Sequence, residues 1–414
     1  VSDEDLRELE RQAPHDAAAA VRFARALARR GETARAASEL ARVVDQSPAD
    51  QEALAELDRL TRGGVDPSSP WPGGRGDGRH SGRSWARGPE RGGQLARVAL
   101  EPLSIGQGLA VDARGCLLAV GGPGINSHLL TIEQDGGYRK HHGGVRGAPL
   151  LLAGATVTVF PFKGSVQLTA LEPRRGSLTD ARGPCAAGLG HAVFARGKQG
   201  VEARLLPTRD AEKRWAVAIP RPAAAIAFGP GAIVLVLTKG GLGARGSFHR
   251  FELGTGKALS PVSLERLGSG DERIIAGEDG TVFLGLGSAT LSLDPEGREL
   301  WRHESTGTLV ALAGESADVV VVSEPRTSAP FALDARTGKE LWRSRDACLN
   351  GQPKVDATGR IFWRREQELV AFEPRSGEIV YQALVGPHFW DFAFDGKGHA
   401  VVLNYGSREL LLLE

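Results

Sequence analysis

The stretch FALDARTGKELWRS (331–344) decides the reading of this chain. It runs apolar strand, acidic residue, short turn ending in glycine, then a second strand closed by tryptophan. LSLDPEGRELWRHE (291–304) and VAFEPRSGEIVYQA (370–383) repeat the pattern, the last with tyrosine in the tryptophan place. Gly256, Gly297, Gly338 and Gly377 take the matching turn position, 41, 41 and 39 residues apart. Paired strands recurring at about 40 residues predict a radial β-architecture. In each turn the acidic side chain can accept from the backbone just after it, and glycine takes the positive φ that the hairpin needs.

Working outward, four-stranded units can be laid out at about 105–142, 146–182, 186–220, 223–264, 270–304, 308–344 and 351–384. A second hairpin signal, between first and second strands, recurs as Asp112-Ala-Arg-Gly115, Asp356-Ala-Thr-Gly359 and Asp395-Gly-Lys-Gly398. Residues 389–414 supply only three strands. Gln94–Leu100 is a strand without a unit, and it resembles the outer strand EIVYQAL. The economical arrangement lets it complete an eighth unit and close the ring, which removes an exposed edge.

This region resembles the PQQ-like propeller family, whose repeat runs roughly A-x-D-x-x-x-G-x-x-x-W. Ala332, Asp334, Gly338 and Trp342 match it best, then Leu293, Asp294, Gly297 and Trp301, then Ala371, Glu373, Gly377 and Tyr381. The third unit is degenerate but keeps Trp215. The resemblance implies an eight-bladed propeller over 94–414, with Trp215, Trp301, Trp342 and Tyr381 as structural residues between blades. Some relatives are quinoprotein dehydrogenases that bind pyrroloquinoline quinone beside two adjacent cysteines. Here Cys116, Cys185 and Cys348 are far apart. No cofactor is expected on this ground, and a quinoprotein-type oxidoreductase is the remotest of three functional readings.

Residues 1–62 predict helices. Ser2 and Asp5 approach a capping box, and Pro14 ends the first helix. Val21, Ala24, Leu27 and Ala28 make one face of a second over 17–30. Ala36, Leu40, Val43 and Val44 make the stripe of a third over 33–46, and Leu54, Leu57 and Leu60 suggest a fourth. With Pro48 as a closing proline, Ala24, Gly31 and Ala36 fall at small-residue positions, and 17–50 resembles one tetratricopeptide repeat. Ala20 stands where that family usually has tryptophan. The resemblance implies a surface for peptides or proteins; the alternative is a helical hairpin that packs only against itself or the propeller.

Between the two lies 63–93, with ten glycines, four prolines and almost no aliphatic residues. Such a composition predicts a disordered tether. Trp71 and Trp85 are its oddity, as aromatics that could dock on a partner or on the adjoining domain.

A formal net charge of +1 provides no global field for nucleic acid or an anionic membrane. The N-terminus lacks the basic start and apolar core of a signal peptide. Methionine is absent even at position 1. Val1 read as the true start places the protein in the cytoplasm; a fragment leaves the compartment open.

Chemistry-bearing patterns are few. Gly241-Leu-Gly243-Ala-Arg-Gly246 fits a dinucleotide fingerprint, but the alternating SFHRFEL that follows reads as strand, where a helix is needed. His141-His142 lacks a nearby third ligand, with His303 or His388 as distant candidates. No catalytic, cofactor-binding or metal residues are assigned. The loop carrying His388, Phe389 and Trp390 faces the expected central funnel and is the candidate partner-binding site; the alternative is that Phe389 and Trp390 are core, as aromatics in strands usually are. The leading expectation is a non-enzymatic interaction scaffold with protein partners, monomeric or weakly oligomeric. A ligand-sensing domain of a bacterial signalling protein is the alternative.

Overall fold

The computed structural model describes residues 3–69, 71, 79, 81–99, 108–121, 128–133, 137–143, 148–152, 155–160, 165–169, 175–178, 184–195, 200–205, 213–238, 246–264, 272–324, 327–346, 352–387, 389–404 and 409–414. Four helices come first: α1 (Asp3–Gln12), α2 (Ala17–Arg29), α3 (Thr33–Gln46) and α4 (Gln51–Thr61). Asp16 and Asp50 cap α2 and α4, their carboxylates accepting from the backbone N–H groups of Ala18, and of Glu52 and Ala53. The rest is strand and turn, in a mainly β, propeller-like fold of antiparallel sheets.

Six sheets have four strands each, and a seventh has seven. In that one, the 15-residue strand Glu299–Ala313 pairs back with Gly287–Leu293 and forward with Val319–Ser323. It therefore ends one four-stranded unit and begins the next. Gln94–Ala99 pairs antiparallel with Glu409–Leu413, beside Ala400–Asn404 and Phe389–Phe394. That is the pairing the strand count called for.

The acidic hairpins form as their chemistry requires. Asp334 Oδ1 accepts from the backbone N–H of Thr337 at 2.9 Å, and Gly338 takes φ 69°. Asp112, Asp356 and Asp395 each accept from backbone N–H groups two and four residues on.

First strands of successive units lie side by side. Ala110–Val111 touches Phe389–Phe394 and Ala148–Leu152; Ala223–Gly229 touches Cys185–Gly188 and Arg273–Ala276; and Glu299–Ala313 touches Lys354–Val355. Apolar side chains of neighbouring sheets merge between them, as where Phe362 of one sheet meets Phe394 of the next edge-to-face at 5.1 Å.

The helices are not a separate body. The stripes of α2, α3 and α4 share one core with the sheets of residues 185–218 and 223–264. Val44 of α3 reaches Gly190, where an added Cβ would sit 3.0 Å from its methyl. His191 is fully buried at this junction, its Nδ1 2.7 Å from the Leu189 carbonyl. Burial pushes its pKa down to about 4; the Leu189 bond opposes this and Arg214 adds to it. Among the described residues no helix is long and apolar enough to cross a membrane.

Candidate functional site: a strap across the turn end of the sheets

The first strands of successive units lie side by side, and several lead into an Asp–Gly hairpin at the same end. The segment expected to be a disordered tether lies along them. Its described residues, 63–69, 71, 79 and 81–93, make a strap held mostly by backbone hydrogen bonds.

Val65 bridges Leu152, and the Asp66 N–H donates to the Leu151 carbonyl at 3.0 Å. Val111 donates to the Trp71 carbonyl at 2.7 Å, while the Ser69 hydroxyl donates to the Val111 carbonyl. Ala276 donates to Arg79, Leu312 to Ser81 and Val355 to Gly82, at 3.2, 2.8 and 2.8 Å. Ser84 returns a bond to the Val355 carbonyl, and Ala357 donates to Ala86. Gly88 donates to Asp356 Oδ2 at 3.0 Å. The strap thus touches most of the units in turn.

The tether expectation is corrected here, and the reason is physical. Low hydrophobicity means that 63–93 cannot build a core of its own. It does not prevent the segment from satisfying strand ends whose N–H groups and carbonyls would otherwise lack partners. Glycine permits the close approach. An added Cβ at Gly88 would lie 2.6 Å from the Phe362 ring, and at Gly82 3.2 Å from the Ala311 methyl. Trp71 is fully buried, and Trp85 lies under the Arg62 guanidinium at 5.1 Å.

Two charged anchors sit under the strap. Asp58 at the end of α4 is 1% exposed and accepts from Arg79 Nη2 at 2.9 Å, Gly63 N at 3.0 Å and Gly231 N at 2.9 Å. One carboxylate thus ties helix, strap and sheet together. Lys354 is 1% exposed and 2.9 Å from Asp391. Its ammonium donates to the Phe392 carbonyl and lies between two rings, 4.7 Å from Trp71 and 4.9 Å from Phe392. Burial pushes its pKa below the ordinary lysine value, and Asp391 opposes this. The arrangement can hold an extended chain through main-chain bonds, a buried aromatic and paired charges.

The sequence-derived site residues fall differently. Phe389 is 1% exposed and packs at 6.0 Å from Phe392, with the Arg364 guanidinium over its outer side. Its ring belongs to the core between sheets, the alternative that strand aromatics usually take. His388 and the side chain of Trp390 lie outside the described residues. His141 Nε2 is 2.7 Å from the Thr131 hydroxyl, the side chain of His142 lies outside the description, and among the described residues no group of three metal-ligating side chains converges. Gly241–Arg245 also lie outside; Gly246 opens a strand.

The blade residues form a repeated lock. Trp215, Trp301 and Trp342 donate Nε1–H to the carbonyls of Leu253, Ala335 and Pro374, each in the third turn of the following unit, at 2.6, 2.8 and 2.8 Å. In the same turns Gly256, Gly338 and Gly377 lie so close to these rings that a Cβ would come within 2.5–2.6 Å. Tyr381 is buried against Phe362 at 5.6 Å.

Residues 244–388 match the family model described as outer membrane protein assembly factor BamB. Over this segment the chain is similar to PQQ-like repeats. Among solved structures, the chain is similar to BamB from Moraxella catarrhalis, at 15% identity and TM-score 0.47, covering 78% of this chain and 97% of that one. A functionally unknown protein from Desulfotomaculum acetoxidans is similar at 12% identity and TM-score 0.41, covering 62% and 94%. A comparison with curated protein sequences finds no match.

Lys354, Asp391 and Asp58 were not foreseen. Single charged residues in strands and at a helix end carry no pattern; only the two tryptophans in a glycine-rich stretch signalled that the strap docks.

Proposed function

We propose that the protein is a non-enzymatic interaction scaffold: an eight-bladed ring, closed by its first and last strands, whose outer rim binds other proteins. The observation that carries this is the apolar character of the outer strands. Ile379, Val380 and Leu384 on one outer strand are 41, 46 and 72% exposed, and Leu95 on the next unit's outer strand and Leu300 on an earlier one are about half exposed. Those strands are edges, with main-chain groups open to another strand. The family matched over 244–388 is described as an assembly factor, which agrees with a role in holding other proteins.

Six four-stranded sheets and one seven-stranded sheet in which a long strand serves twice support the eight-bladed reading. The helical module contributes less surface than its resemblance to a tetratricopeptide repeat implies, because three of its apolar stripes face the sheets.

The test is capture from lysate with the full chain and with a Val380→Lys, Leu384→Lys double variant. Proteins retained by the parent and lost from the variant, at unchanged melting temperature, support the rim. An unchanged set of captured proteins sinks it.

A further inference from the structure

We infer that the track beneath the strap is itself a binding site for extended, Arg/Gly-rich polypeptide carrying a tryptophan, which the described residues of the chain's own strap occupy in cis. The inference rests on the interaction reading above and names a second surface and the chemistry of its partner.

Four features point to a recognition site. First, the strap is bound as peptides are bound, through main-chain bonds to strand ends at Val111, Ala276, Leu312 and Val355, with one large side chain as anchor. Second, the anchor's pocket is built for recognition: the Trp71 ring is fully buried, with Lys354 on its face and Phe394 edge-on at 5.8 Å. A cation over a ring selects an aromatic side chain.

Third, the track is acceptor-rich where the strap is basic. Asp58 receives Arg79, and the Glu315 carbonyl receives Arg83 at 2.9 Å. Fourth, the self-fit is incomplete. Trp71 Nε1–H is buried without a hydrogen-bond partner among the described residues. A buried donor left unpaired weakens the cis complex relative to what the pocket could hold. Apart from Trp71 and Trp85 the strap has little apolar bulk, so its occupancy depends on tethering. A tethered segment competes at an effective concentration on the order of millimolar, which a partner must exceed.

The probe is a fluorescein-labelled synthetic peptide with the sequence of residues 63–93, titrated by anisotropy into the full-length wild type and a full-length Trp71→Ala variant. The variant's own strap loses its anchor and yields the track. It should bind the peptide at least about tenfold more tightly than the wild type does, in line with that effective concentration. The same peptide carrying Trp71→Ala should bind at least about tenfold more weakly, as expected for loss of a buried aromatic anchor.

A folded variant that does not bind the peptide, or binds it no better than wild type, overturns the proposal. Should the variant not fold, hydrogen exchange on the wild type decides. Faster exchange at Val111, Ala276, Leu312 and Val355 than at strand-centre amides supports a strap that opens on its own. Exchange no faster than at those strand centres overturns it. The peptide experiment needs no cellular partner, so its failure leaves the rim result standing, and the reverse also holds.

Discussion

The described residues of the repeats over 273–384 and those of the strap within 63–93 are held by opposite means. The repeats are held by side chains: a tryptophan from one unit donates to a turn carbonyl of the next and packs on its glycine. The strap is held by its backbone, borrowing donors and acceptors from strand ends, with Trp71 as its largest apolar contribution. A region built on side-chain locks announces itself by repeating them. A region built on backbone bonds can look like disorder, because glycine and serine make those bonds as well as any residue does.

The sharpest way to break the comparison is Trp301→Ala. Burial of such a ring removes ~150–250 Å² from water, and its loss should destabilise the protein by about 3–5 kcal/mol in urea unfolding. An unchanged midpoint would mean that the inter-unit lock contributes nothing.

His191 tests the junction between helices and sheets. Its pKa of about 4 lies below the ordinary 6.5, so the unfolded chain binds the proton more readily between these values. Stability from this group is complete above pH 6.5 and falls as pH drops toward 4, by about 3 kcal/mol in all. Wild type should therefore lose more stability than His191→Asn over that interval, and parallel curves would show a histidine that is not buried in solution.

Gly338→Ala places a methyl 2.5 Å from the Trp301 ring at a φ of 69°, with an expected cost of about 2–4 kcal/mol from crowding and backbone strain together. Gly88→Ala makes the corresponding intrusion from the strap, against Phe362 and Phe394, and should cost about 1–3 kcal/mol. A tether would tolerate it, so an unaltered melting temperature would restore the disordered reading of 63–93. Smallest of all, Val380→Lys on the outer rim should change stability by no more than about 0.5 kcal/mol while altering what the rim binds.

The sequence alone determined the units, their hairpins and the strand that pairs across the termini. These rest on local rules: alternation fixes strands, an acidic residue three or four positions before a glycine fixes the turn, and repetition makes each instance support the others. It also marked Trp215, Trp301, Trp342 and Tyr381, because a tryptophan recurring at one place in a repeat has one packing role. What it misread was non-local. The glycine-rich segment looked like a tether, yet its described residues lie on strand ends. The helices could have offered a groove or packed on the sheets, and their stripes meet two sheets. Only the tertiary structure placed the strap on the strand ends and brought Lys354, Asp391 and Trp71 together, since those residues lie 283 and 37 positions apart along the chain. Composition records what a segment can bury by itself; whether another part of the chain offers it partners is decided by the folded arrangement.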